Sequence, residues 1–277
     1  MDKPAGPTSH DVVQRVRRVV GSRAVGHTGT LDPFATGLLV IMVGRATRLA
    51  RFVEAQPKTY LATARLGART DTDDLTGAPL GEVRQVSAIP IEAVRAALMG
   101  FLGPQEQRPP AYSAKRVDGE RSYLLAREGR AVSPKPVRVT VHDIDLVEYK
   151  PPDVTFRAVV SAGTYLRALG RDLGERLGTG AHLTALRREA IGALRVEDAV
   201  RLSDLTAGNL QRVRAVLGHL PVQELDEAER VAVSHGRALP AADLPEGDVA
   251  LVSGDELVAV ARAGDGWLRP SVVLETP

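Results

Sequence analysis

The sequence contains no cysteine, which excludes a disulfide framework, a thiolate metal site and a thiol nucleophile. That absence fits a reducing, cytoplasmic setting. Aromatic side chains make up only 4% of the 277 residues. No apolar run is long enough to span a bilayer, because the longest, Leu38 to Val43, is strand-sized. No secretory signal, phosphate-cradling glycine loop or dinucleotide fingerprint is present. The six histidines (10, 27, 142, 182, 219 and 235) are scattered, with no pair at metal-ligand spacing. The expectation is therefore chemistry by side chains alone, with neither metal nor cofactor.

The chain is long enough for a sizeable core and for two domains. Its formal charge of +2 averages unlike parts. Residues 221–277 hold four basic and eleven acidic side chains, leaving 32 and 23 in residues 1–220, so the parts are about −7 and +9. A boundary near Pro221 is expected, with a basic larger domain suited to a polyanion.

Local patterns complete the outline. SHDVVQRVRRVVG reads as an amphipathic helix with Ser9 as N-cap. LLVIMVG reads as one buried strand and RATRLARFVEAQ as a helix. KTYLATARLG alternates as a strand with Tyr60, Ala62, Ala64 and Leu66 on one side. IPIEAVRAALMGFLG is a helix entered at proline. QRPPAYSAKRVDGERSYLLAREGR turns helical only near its end, and residues 108–138 are locally about +5. VRVTVHDIDLVEY and VTFRAVVSAG are strands, TYLRALGRDLGERLG is a helix, and AHLTALRREAIG a strand or bend. DVALVSGDELVAVARAGDGWLRPSVVL reads as short strands of a small β-barrel. The fold class is α+β with a mostly antiparallel sheet.

In GHTGTLDPFATG, Asp-Pro at 32–33 suggests a helix cap. Gly37 and the strand that follows leave little helix to cap, and Pro33 biases Asp32 towards an extended backbone. A carboxylate held this way suits a nucleophile or a general base. It needs a cation to stay ionised if buried, and Arg167 in GTYLR is the best-placed type. Tyr60 and Tyr165 suit base stacking or ordinary core packing, and His27 suits a structural hydrogen bond.

Taken in order, DKPAGPTSHDVV, GHTGTLDPFATGLL, GRATRL, KTYLATARLG, GTYLRALGRDLG and GAHLTALRR closely resemble the motifs of the TruB-type tRNA pseudouridine synthases over residues 2–200. The stretch from Gln107 to Gly129 resembles that family's RNA-gripping insertion (about residues 104–138), and the tail its PUA-like domain. The resemblance implies a catalytic domain at 1–220 with a mixed, mostly antiparallel sheet flanked by helices, and a PUA-like barrel at 221–277. It implies cofactor-free isomerisation of uridine 55 in the T-loop of tRNA, with the target base flipped out; a monomer is expected because no exposed apolar stripe in the sequence asks for a partner. Asp32 falls on the catalytic aspartate, Tyr60 on the base-stacking tyrosine and Arg167 on its paired arginine. Tyr165, Leu183 or Leu186, and Lys3 fall on or near the pocket wall, and His27 on the histidine that holds the RNA. Arg108, Lys115, Arg116 and Arg121 are expected on phosphates. Three features depart from the pattern. The chain starts at Met1-Asp2 without a preceding apolar strand, leaving Lys3 on a frayed end. Arg116 stands where the family tends to lysine. The acidic tail predicts at most a modest contribution to RNA binding.

Overall fold

The computed structural model describes residues 1–86, 89–112, 134–241 and 244–275, together with the backbone of Arg116–Val117 and Glu120–Arg121. Lys115 and about half of the predicted RNA-gripping insertion (residues 113–115, 118–119 and 122–133) lie outside the described residues, as do the side chains of Arg116 and Arg121.

One eight-stranded sheet organises residues 1–220. Its strands are β1 (Asp2–Lys3), β3 (Thr36–Leu38), β5 (Lys58–Leu66), β6 (Gly103–Gln107), β7 (Val137–Lys150), β8 (Asp153–Val160) and β9 (Ala181–Ile191), in the order β1-β3-β9-β5-β8-β7-β6. The eighth, Leu194–Arg195, pairs beside β9. Only β3 and β9 run parallel; the other pairings are antiparallel, as the alternating sequences predict. Helices α1 (Ser9–Val20), α3 (Ile91–Met99) and α4 (Leu166–Arg176) flank the sheet; α2 (Ala50–Glu54) is a short helix after a 3-10 turn at Gly44–Leu49. A single buried cluster joins Val12, Val13 and Val16 of α1 with Ala62, Ala64, Phe156 and Leu169. The alternation in β5 is therefore a true inside–outside pattern, with Tyr60, Ala62, Ala64 and Leu66 all buried. No helix of the described residues is long and apolar enough to cross a membrane.

Three local expectations are corrected. Thr8, not Ser9, caps α1: its hydroxyl accepts from the Asp11 N–H while Asp11 returns a bond to the Thr8 N–H. That reciprocal cap frees Ser9 for another task. The Leu38–Val43 run is two strands, not one. It breaks after Leu38, where the Leu39 N–H donates to the Met1 carbonyl, and resumes as β4 (Ile41–Val43) against β2 (Val25–His27). Finally, Lys3 is not frayed. It is fully buried in β1, paired with Gly37 across the β1–β3 ladder.

The tail has its own core around Leu225, Val233, Val249, Leu251 and Leu268, formed by a five-stranded sheet and helix α5 (Glu227–Ser234). Two of its inner strands, Glu256–Gly264 and Trp267–Val273, also reach the large sheet. Val260 and Val272 share one buried cluster with Leu38, Met42, Leu49, Phe52 and Ile191. Arg45, Arg48 and Arg51, one turn apart, donate to the Leu274 carbonyl (2.7 Å), the Val273 carbonyl (2.6 Å) and the Ser271 hydroxyl (3.0 Å). Part of the basic excess of residues 1–220 is thus spent against the tail.

Gly37 shows how tightly β3 meets β9. Its φ of +102° lies where side chains are strained, and a Cβ there would collide with the Arg188 backbone. Gly37→Ala is expected to lower unfolding free energy by about 2–4 kcal/mol in equilibrium urea titration; a change within about 0.5 kcal/mol would contradict this packing.

Candidate active site

The loop between β2 and β3 presents Asp32, and its backbone is tied down residue by residue. The Ser9 hydroxyl, released from capping duty, donates to the Leu31 carbonyl (3.1 Å) and accepts from the Leu31 N–H (2.9 Å). The Lys3 ammonium donates to the carbonyls of Pro4 (2.8 Å), Pro33 (3.2 Å) and Ala35 (2.7 Å). The Gly6 N–H also donates to the Pro33 carbonyl. Burial pushes the Lys3 ammonium below its ordinary pKa, and the Asp32 charge opposes that shift. Lys3 thus supports the loop from behind instead of lining a pocket.

Arg167, in the first turn of α4, closes the site from the other side. Its Nε lies 3.0 Å from Asp32 Oδ2, an ion pair whose N–H is off-line for a hydrogen bond. Its Nη2 donates to Asp32 Oδ1 at 3.3 Å and to the Tyr112 carbonyl at 2.8 Å. Nη1 donates to the Thr72 carbonyl at 2.8 Å and meets Asp74 Oδ2 at 3.3 Å. The guanidinium therefore bridges two carboxylates of different standing. Asp74 is enclosed, its side chain 5% exposed, with Oδ1 accepting from Thr72 Oγ1, Thr76 N and Thr76 Oγ1. Asp32 keeps 32% of its side chain exposed and presents the open edge of the network. Desolvation raises the Asp32 pKa above the ordinary aspartate value; the Asp74 charge adds to the rise, while Arg167 and Lys3 oppose it.

The helix that carries Arg167 is fixed at its start. The Tyr165 N–H donates to Gln107 Oε1 (2.8 Å), and Gln107 Nε2 returns a bond to the Tyr165 carbonyl (3.1 Å). One turn on, Arg171 pairs with Asp73 (3.0 Å) and Asp172 (2.7 Å) and donates to the Arg108 carbonyl (3.1 Å). The 70–77 turn is thereby docked on α4 twice, through Asp73 and Asp74.

Of the residues singled out from sequence, Asp32, Arg167 and Lys3 converge directly. Tyr60 stands on β5 opposite Arg188 of β9, nearly buried, with its hydroxyl 3.5 Å from Arg188 Nη1. Tyr165 caps α4 two residues before Arg167. His27 ends β2 with a buried Nδ1 that has no hydrogen-bond partner among the described residues. Burial, then the Arg188 charge, lowers its pKa and so favours the neutral imidazole. Leu183 is completely buried against Gly170 of α4; its N–H donates to the Asp73 carbonyl, so it anchors the 70–77 turn. Leu186 is 7% exposed. Arg108 is exposed beside Arg171. Sequence reasoning missed Asp74, Ser9 and Arg188. Asp74 had a signal, the threonine-flanked run TDTDDLTG, in which an aspartate can fold its own turn.

Among the described residues no three His, Asp or Glu side chains converge as a metal-binding group. Residues 17–166 match the model of the TruB family pseudouridylate synthase N-terminal domain. Residues 167–220 match that of the tRNA pseudouridylate synthase B C-terminal domain. The chain belongs to the TruB family. The family is one of pseudouridine synthases, which are isomerases. Among its curated members, a tRNA pseudouridine synthase B of Thermobifida fusca (strain YX) is 44% identical over 99% of this chain and 96% of its own length. One of Burkholderia mallei (strain NCTC 10247) is 42% identical over 100% and 96%. Among solved structures, a chain of a Cbf5-Nop10-Gar1 complex superposes with a TM-score of 0.77 at 27% identity, covering 99% of this chain and 84% of that one. A chain of an H/ACA RNP bound to a substrate RNA containing 2'-deoxyuridine gives the same TM-score at 25% identity, covering 99% and 83%.

The two carboxylates of the TruB-family site are expected to differ in stability measurements. Asp74→Ala removes the buried partner of Arg167 and the acceptor of the Thr72 and Thr76 donors, leaves the guanidinium only the edge carboxylate of Asp32, and should cost about 3–5 kcal/mol in urea unfolding. Asp32→Asn, at the open edge, should cost less than half as much. Equal losses would contradict the assignment of Asp74 as the enclosed partner.

Proposed function

We propose that this chain isomerises uridine 55 in the T-loop of tRNA to pseudouridine, with Asp32 as the essential side chain. The carrying observation is one carboxylate with an open edge, held against a buried arginine on an over-determined loop. The reaction breaks the C1′–N1 glycosidic bond and forms a C1′–C5 bond. C5 loses a proton and N1 gains one, so atoms and electrons balance without a co-reactant. What the reaction needs is retention of the freed base and a group that acts on sugar or base. Asp32 meets that need by attack on C1′, attack on the base, or removal of a sugar proton. Arg167 keeps the carboxylate ionised in a pocket that the bound base closes to water.

The target uridine is flipped into the site. Tyr60 stacks on it, and Tyr165 and Leu186 complete the wall. His27, whose ring Nδ1 has no hydrogen-bond partner among the described residues, takes the place the base leaves. Arg108, Lys115, Arg116 and Arg121 bind phosphates, which position the RNA without reading its bases. The protein acts as a monomer, without a guide RNA. The relatives named tRNA pseudouridine synthase B stand at 42–44% identity, against 25–27% for the Cbf5-type chains. That contrast favours a stand-alone enzyme over a guide-dependent one, and Asp32's exposure favours catalysis over a purely chaperoning role.

The test is tritium release from a tRNA transcript labelled at C5 of uridine, with purified protein alone. Wild type should release one tritium per tRNA. Asp32→Asn should be slower by about 1,000-fold or more with little change in tRNA affinity. Wild-type turnover by Asp32→Asn, or a requirement for added guide RNA, would sink the reading.

A further inference from the structure

Arg188 is one of the largest fully buried side chains of the molecule, 1% exposed, yet no carboxylate among the described residues forms an ion pair with it. A buried cation without a carboxylate is costly unless its N–H groups are well used. Here Nε donates to the Leu38 carbonyl (2.7 Å), Nη2 to the Gly29 carbonyl (3.0 Å), and Nη1 points to the Tyr60 hydroxyl (3.5 Å). Gly29 and Leu38 bracket the loop that carries Asp32. Tyr60 stands directly across the β5–β9 ladder, and Gly37 across the β3–β9 ladder. One planar fork therefore spans both ends of the loop and Tyr60, a reach that a lysine's point charge cannot reproduce.

We propose that Arg188 is a positioning residue for the reaction, setting the Tyr60 hydroxyl and the Gly29 end of the loop in register with Asp32. This rests on the isomerase reading above. Because Arg188 donates to the phenol oxygen, the Tyr60 oxygen is the acceptor in that contact and the O–H is not used in it. The same guanidinium acts on the His27 imidazole, whose other charged and titratable neighbours are Glu54 on α2 and His10 on α1; burial, Arg188 and His10 favour its neutral form, while Glu54 opposes them.

The experiment uses full-length Arg188→Lys and Arg188→Gln, with three readouts: single-turnover tritium release, tRNA affinity by filter binding, and the His27 ring titration by NMR, assigned with His27→Asn. Arg188→Lys should slow the single-turnover step by about 10- to 100-fold with tRNA affinity within threefold. Its loss should overlap with that of Tyr60→Phe instead of multiplying, because a lysine no longer holds the hydroxyl. His27 should titrate at higher pH in Arg188→Gln than in wild type or Arg188→Lys. A wild-type rate in Arg188→Lys, fully multiplying losses, or a loss that lies wholly in tRNA affinity would overturn the proposal. So would failure of both variants to fold, which would make Arg188 a structural residue only. If wild type itself releases no tritium, the assigned reaction fails instead, and an unmoved His27 titration in Arg188→Gln would then overturn the placement of Arg188.

Discussion

The site depends on one buried guanidinium. Arg167 joins three segments that no single secondary-structure element holds together: the Asp32 loop, the 70–77 turn and the backbone at Tyr112. Its charge is matched by Asp74 in the interior and by Asp32 at the edge. The geometry of the edge carboxylate is therefore inherited from an ion pair the solvent does not reach. A carboxylate set this way loses little freedom when substrate binds, which is what preorganised catalysis asks of it.

The same economy appears around it. Lys3 and Arg188 are buried cations that spend their N–H groups on backbone carbonyls, at Pro4, Pro33 and Ala35 for one and Gly29 and Leu38 for the other. Loops seldom have enough ladder bonds to be rigid. Here side-chain donors from β1 and β9, with the Ser9 hydroxyl from α1, replace the missing ladder. The tail contributes to this frame at a distance, because Leu38 shares its buried cluster with Val260 and Val272.

Much of this was legible in the sequence. Period-two alternation gave β5, β7 and β8 because each has one face on the core. The glycines and proline around Asp32 marked a held carboxylate. What was hidden depended on contacts distant in sequence. Lys3 looked frayed because nothing local reveals that β1 pairs with β3. Leu38–Val43 looked continuous because hydrophobicity does not record a break made by a hydrogen bond to Met1. Ser9 and Thr8 are adjacent and both cap helices by type; the reciprocal bond with Asp11, three residues after Thr8, decides between them, and Ser9 turns to Leu31 instead. Leu183 carried the motif of a pocket residue but packs beneath α4, where the absent side chain of Gly170 admits it. Arg188 sits in an unbroken basic pair, Arg187-Arg188, whose members point oppositely across the strand: one to Asp2 at the surface, one into the core.

The central claim is that Arg167 holds Asp32 ionised against desolvation. It is tested most directly by a carbon-13 NMR titration of the Asp32 carboxyl, assigned with Asp32→Asn, in wild type and Arg167→Gln. Burial and the Asp74 charge raise this pKa, and Arg167 is the largest opposing influence. Removing the guanidinium charge should therefore move the titration to higher pH, and with it the acid limb of the activity profile. An Asp32 titration at the same pH in both proteins would contradict the account.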